Sequence, residues 1–282
     1  MKRSYKLLFI LITIIICIEI IVGCSLNISN IVMSTNPPVK DRLQAIKEKG
    51  VLTLASSNDK PYAYIDPDTN KIRGIDGEII TEAAKRLGIN NVQLKEVPFS
   101  NLLNALNSDD TIDIASDGIY ITDDRQKQAL FTIPFYKSSE VIITPKVSKI
   151  NFKEDLANAV VGAQNGTLSL MLAKTWQEKG LLKEIQIFET KSELIDAVNT
   201  GKVDAGIIDN ISIAYQIPHE KTLYLKIIKP YAPEISGLIA AAVRKSDTTL
   251  LNAINEKIYE MKIDKTIKNI LEKYGLEDNY LA

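Results

Sequence analysis

Two side chains of opposite charge stand where each could meet a small charged molecule. Arg125 follows Thr122-Asp123-Asp124, an order that reads as a helix start, with Thr122 as N-cap and two acids in the first turn. Arg125 is thereby placed early on a short helix. Its guanidinium is a planar fork that matches a carboxylate through two parallel hydrogen bonds. A surface arginine paired with Asp123 or Asp124 is the plainer reading of the same residues. Asp209 closes the apolar run 205–208, and open parallel sheets gather ligand contacts at the carboxyl ends of their strands. An aspartate at a strand-to-helix junction also serves as an N-cap, so residue type alone leaves both roles open. Gly166-Thr167 precedes an apolar helical stretch, and the free N–H groups of a helix start suit an anion. Gly166 and Gly118 would let backbone approach a ligand closely, or would simply make turns.

Other chemistry is thinly provided for. His219 is the only histidine of the 282 residues, which argues against a histidine-built zinc or iron site. It also excludes a Ser-His-Asp triad unless His219 itself serves, and its place after Pro218 predicts a loop. No metal and no cofactor is expected. Trp176 falls in a predicted helix and is expected to pack there. Net charge is −1, from 34 basic and 35 acidic residues. There is no basic arm, so nucleic acid is not an expected partner.

The N-terminus directs the chain out of the cytoplasm. Lys2, Arg3 and Lys6 precede an apolar run from Leu7 to Ile18, and Ile21-Val22-Gly23-Cys24 follows. A basic start, a short apolar core and a small residue before the cleavage point read as a secretory signal. Glu19 interrupts the run before the roughly 20 apolar residues a spanning helix needs. Gly23-Cys24 resembles a bacterial lipobox, although Ile21 stands where such motifs usually carry Leu. The resemblance implies a signal peptide over residues 1–23, with lipid, palmitate included, on Cys24. A polar tether over 24–42 would leave the protein anchored at the outer side of a cell membrane. Cys17 is the only other cysteine and falls in the signal, so the exported chain has no internal disulfide and must rely on core burial.

The elements that must hold these side chains alternate. Strands are predicted at residues 51–55, 92–97, 112–115 and 141–144, with helices at 76–87 and 101–106 between them. The alternation restarts with strands at 160–163, 185–187 and 205–208 and helices at 168–177 and 192–199. An apolar run at 237–243 leads into helices at 247–261 and 265–274. Helical crossovers between apolar strands mean an α/β sheet. Two such halves, joined around Thr144-Pro145, predict two lobes with a cleft, a favoured place for a small ligand.

Several segments now align with one family. Ile72-Arg73-Gly74-Ile75-Asp76-Gly77-Glu78-Ile79 resembles its Gly-Phe-Asp-x-Asp-Leu, and Ala84-Lys85-Arg86-Leu87-Gly88 ends the same helix. Asp117 to Arg125 and Phe131-Thr132-Ile133-Pro134-Phe135-Tyr136 follow in order. Residues 161–167 and 201–209 complete the series. From about Gly50 to Gly275 the chain resembles the family 3 extracellular solute-binding proteins of amino-acid ABC importers. The resemblance implies a periplasmic-binding-protein type II fold. Lobe 1 would span 43–143 and 235–282 and lobe 2 144–234, with hinge crossings near Thr144-Pro145 and Pro230 to Pro233. It implies that Arg125 holds a ligand carboxylate, that Asp209 receives its ammonium, and that Gly118, Gly166 and Thr167 add backbone and cap contacts. A zwitterion so held bridges the lobes and selects the closed state. Importer membrane subunits are the implied partners, and a monomer is expected.

Tyr120 departs from the pattern, since many amino-acid binders carry Ser or Thr five positions before the arginine. The short opening loop Ser56-Ser57-Asn58-Asp59-Lys60-Pro61-Tyr62 departs as well. Both features resemble the ectoine-binding branch, in which Tyr62 and Tyr120 would face a delocalised cation and Asp59 would neutralise it. An amino acid is the first expectation and an ectoine- or betaine-like solute the alternative. A dehydratase on the same fold is a remoter one, because no acid–base pair stands out beyond the ligand's own partners. The chain also ends without a second catalytic domain or a membrane helix, so a peptidoglycan-cleaving enzyme or a sensor is not expected.

Overall fold

The structure, a computed structural model, describes residues 41–281. The signal segment, Cys24 and the tether as far as Lys40 lie outside the described residues. Arg42, assigned above to the tether, instead begins a helix, Arg42–Lys49. Asp41 caps it by accepting from the Gln44 amide at 3.2 Å. At the other end Gly50 takes the left-handed conformation, φ 73°, that stops the helix and turns the chain into β1.

The first lobe is built on a five-stranded sheet. β1 (Val51–Ser56) is followed by a short hairpin, β2 (Tyr64–Ile65) and β3 (Ile72–Arg73). Then come β4 (Asn91–Glu96), β5 (Ile114–Ala115) and β6 (Leu130–Phe131). β1 runs parallel to both β4 and β5. The intervening helix Ile75–Arg86 turns Ile79, Ile80, Ala83 and Ala84 inward, the stripe visible in the sequence. These residues share a core with Leu54, Ile254, Ile258 and Leu271. Leu102, Leu106, Ile112 and Ala129 pack with Ala55 and Ala115 in a second cluster. Because both faces are covered, β1 reads as a continuous apolar run rather than an alternating one.

The second lobe repeats the plan on a six-stranded sheet. It contains β7 (Tyr136–Pro145), β8 (Val160–Gln164), β9 (Glu184–Phe188), β10 (Ala205–Asp209) and β11 (Leu225–Ile227), with β12 (Ser236–Ile239) paired to the start of β7. β8 lies parallel to β9 and β10, and β7 crosses them antiparallel. Helices Leu168–Glu178 and Lys191–Asn199 fill the crossovers. The second starts with a capping box, in which Thr190 and Glu193 exchange side-chain bonds with each other's amides at 3.1 Å. Trp176 is fully buried in this lobe's core, as its apolar setting predicts.

The chain returns through β12 (Ser236–Ile239) and β13 (Ala242–Val243), and β13 joins the first sheet. β7 is the bridge between lobes. Its residues 136–139 pair with β12, and residues 140–145 pair inside the second sheet. Thr144 and Pro145, expected at the crossing, instead pair with Lys226 and Leu225 inside that sheet. The second crossing is tied by buried Glu140, which accepts from the Tyr231 hydroxyl at 2.6 Å and from the Glu234 and Ile235 amides at 2.5 and 2.8 Å. Trp176 reaches the same strap, donating to Glu234 at 3.3 Å with its ring edge-on to Tyr231. His219 differs from expectation too. It is the last residue of a helix, Asn210–His219, and its ring stacks on Tyr215 at 4.2 Å.

Candidate functional site

Asp123–Gln126 forms the short helix the sequence predicts, and Thr122 caps it by accepting from the Arg125 amide. The cap aims Arg125 at the second lobe. Its guanidinium donates to the Tyr120 carbonyl at 2.9 Å and, across the cleft, to the Gly166 carbonyl at 3.1 Å. The ring of Phe99 lies 5.7 Å below it. Among the described residues Arg125 forms no ion pair: Asp124 pairs with Lys127 instead. Burial pulls its pKa down to about 10, which leaves it charged at neutral pH with hydrogen-bonding capacity to spare.

Asp209 ends β10 and caps the next helix, accepting from the Ser212 amide at 2.7 Å and the Ser212 hydroxyl at 2.9 Å. Capping and site placement, which the sequence left as alternatives, coexist. The Tyr62 hydroxyl of the first lobe donates to the same carboxylate at 2.5 Å. Two polar contacts, Arg125 to Gly166 and Tyr62 to Asp209, therefore cross between the lobes.

Gly118 and Gly166 are needed for close approach. At Gly118, with φ 67°, a Cβ would stand 2.6 Å from the Tyr62 ring, and at Gly166, with φ 75°, it would stand 2.5 Å from the Ser100 Cα of the opposite lobe. Thr167 caps helix Leu168–Glu178, leaving the first amides of that helix at the cleft.

Arg125, Asp209, Gly118, Tyr120 and Thr167 line one narrow cavity between the lobes. Gly166 borders the same arginine from outside. Tyr62 and Asp59 stand behind the lining and join it through Asp209 and Lys191. A carboxylate entering here would find a guanidinium and helix amides, and an ammonium would find Asp209.

Among the lining residues that sequence reasoning missed are Lys191 and Gln164. Lys191 is 4% exposed, and its ammonium projects into the first lobe. It lies 3.7 Å from Asp59, 4.6 Å over the Tyr62 ring and 5.2 Å over the Phe99 ring. Burial alone would lower its pKa, but the carboxylates of Asp59, Asp117, Asp209 and Asp76 outweigh that and raise it. Asp117 is itself pushed up to about 6, chiefly by burial and despite bonds from Ser57. Gln164 donates to the Glu189 carbonyl, and its own oxygen is buried without a hydrogen-bond partner. The rule that found Asp209, carboxyl ends of parallel strands, also covers Gln164 at the end of β8 and Lys191 just beyond β9.

Residues 52–277 match the model of the bacterial extracellular solute-binding proteins, family 3. The chain belongs to that family. Family 3 proteins bind solutes outside the cytoplasmic membrane for ABC importers, and no described helix of this one is long and apolar enough to cross a membrane. The L-cystine-binding protein TcyA of Bacillus subtilis is 26% identical over 279 residues, 99% of each chain. Two solved structures give the fold. An ancestral arginine-binding protein bound to arginine is 29% identical with a TM-score of 0.71, covering 80% of this chain and 98% of its own. An ancestral amino-acid-binding protein, a precursor of cyclohexadienyl dehydratase, is 28% identical with a TM-score of 0.73, covering 83% and 99%. The fold is therefore the two-lobed type II arrangement, as expected.

Proposed function

We propose that this family 3 protein is the lipid-anchored receptor of an amino-acid ABC importer and captures a free amino acid by closing its lobes. The supporting observation is Arg125, a half-buried guanidinium that bridges the lobes through two carbonyls and has no acid partner among the described residues. A solute carboxylate would take its remaining donors together with the amides behind Thr167, and Asp209 would receive the ammonium. Gly118, Gly166 and Tyr120 shape the walls, and Tyr62 steadies Asp209. Such a solute gains both ionic contacts only when the lobes are together, and this differential drives closure. We assign the first lobe to residues 41–139 with 235–281 and the second to residues 140–234, an earlier boundary than the sequence suggests because β7 enters the second sheet at Glu140. The protein works as a monomer and a binder, returning its solute unchanged. Cys24 carries the lipid, because a basic start, an apolar core and a small residue precede it.

Mass spectrometry of solute released from purified protein tests the reading. The expected result is one amino acid per chain, chemically intact. A retained molecule without a carboxylate, or conversion of an added solute, refutes it. For the anchor, intact mass of the membrane fraction should show acyl chains on a mature N-terminal Cys24. Equal release of wild type and Cys24→Ser into the medium would rule that out.

A further inference from the structure

The cleft contains a seat for a positive charge, and the protein fills it itself. The rings of Tyr62 and Phe99 and the carboxylate of Asp59 all belong to the first lobe, and together they surround one ammonium. Asp117 and Asp76 lie deeper in the same lobe, and Asp209 closes the side facing the solute cavity. Two aromatic faces with an acid are the arrangement that recognises a cationic ligand group. The occupant here is Lys191, from the first turn of helix Lys191–Asn199 in the opposite lobe. Its side chain is 5% exposed. At 3.7 Å its contact with Asp59 is an ion pair but too long for a hydrogen bond, and both atoms lack hydrogen-bond partners among the described residues. The ammonium is thus held as a bound cation would be, by charge and ring faces rather than by fitted hydrogen bonds. It also lines the cavity that holds Arg125 and Asp209.

We propose that Lys191 is a tethered substitute for a cationic solute side chain, so that this site accepts amino acids with uncharged side chains and rejects those with a fixed cationic one. The proposal rests on the zwitterion reading above and narrows it. A cationic side chain would have to displace Lys191 from its seat or lie beside it uncompensated, whereas an uncharged one meets neither obstacle. Truncating Lys191 would vacate the cage and leave its carboxylates without a counter-charge, a vacancy that a guanidinium or ammonium could fill.

The test is titration calorimetry with L-arginine, L-lysine and their uncharged counterparts L-citrulline and L-glutamine, on wild type and Lys191→Ala. Wild type is expected to prefer the uncharged members. Lys191→Ala is expected to bind L-arginine at least about ten-fold more tightly than wild type does. Wild type binding L-arginine or L-lysine more tightly than the uncharged partner would overturn the proposal, whether or not the variant folds. A folded variant, checked by circular dichroism, with no gain for either cation would overturn it too. Failure of the zwitterion reading looks different: wild type would then bind no amino acid, or would bind one as well after Arg125 is removed.

Discussion

Replacing Arg125 by alanine removes the guanidinium positioned to meet a solute carboxylate in the cleft. In the bound state that carboxylate would be desolvated between the lobes and left with helix amides alone. Losing one partner of such a pair costs about 2–5 kcal/mol, because the remaining charge stays buried without compensation. At about 1.4 kcal/mol per tenfold, the dissociation constant should rise roughly 30- to 4,000-fold. Arg125→Lys should fall within the same range, since an ammonium cannot hold the Tyr120 carbonyl, the Gly166 carbonyl and a two-pronged carboxylate together. The unliganded protein should lose little. The two carbonyls freed by the change border a cleft that water can enter, so the cost should stay near or below about 1 kcal/mol. Calorimetry with the retained amino acid measures the first effect, and melting of ligand-stripped protein measures the second. Affinity within about threefold of wild type in Arg125→Ala would refute the carboxylate clamp, and a collapse of the unliganded melting temperature would recast Arg125 as structural.

Three further outcomes follow from the same geometry. Asp209→Asn keeps a competent cap for helix Asn210–His219 but loses the charge, so affinity should drop about tenfold or more with little change in melting; equal loss of both would make Asp209 a cap alone. Gly166→Ala puts a methyl against the Ser100 backbone at a positive φ, so small-angle scattering should show an expanded molecule and weakened binding, and a compact variant with native affinity would contradict the close approach. Burial raises the Asp117 pKa from the ordinary 3.8 to about 6, so its contribution to stability is present at low pH and is lost as pH rises towards 6 and beyond. The stability of wild type relative to Asp117→Asn should therefore decline by about 2–3 kcal/mol between pH 4 and 7, and a constant difference across that range would show that the buried carboxyl does not take up a proton there.

Sheets with two covered faces announce themselves through apolar runs, and for that reason β1, β8 and β10 were legible to within a residue. Helix Ile75–Arg86 showed through its inward stripe, and Asp123–Gln126 through its cap. The helix Asn210–His219 was hidden by Pro218, which reads as a break although it stands inside the helix, one residue before its end. The hairpin of β2 and β3 has strands too short for any period to register. In the site, Arg125 and Asp209 each carried a local signal, a cap and a strand end. For Lys191 the position just beyond a strand end marks the place but not the role, because Asp59, Tyr62 and Phe99 reach it only through the folding of a different lobe. Charge partners distant in sequence leave no periodic trace.

Trp176 is the only tryptophan in the sequence, and its indole is fastened to the strap that carries the chain back between the lobes. Tyr231, edge-on at 6.4 Å, belongs to that strap, and the ammonium of Lys153 lies 4.5 Å over the indole. Any rearrangement of the strap changes the field on one chromophore, so the protein carries its own optical gauge of lobe movement. Stopped-flow fluorescence could then time solute capture without a dye, and a variant locked open would be distinguishable by colour shift from one that closes but holds nothing.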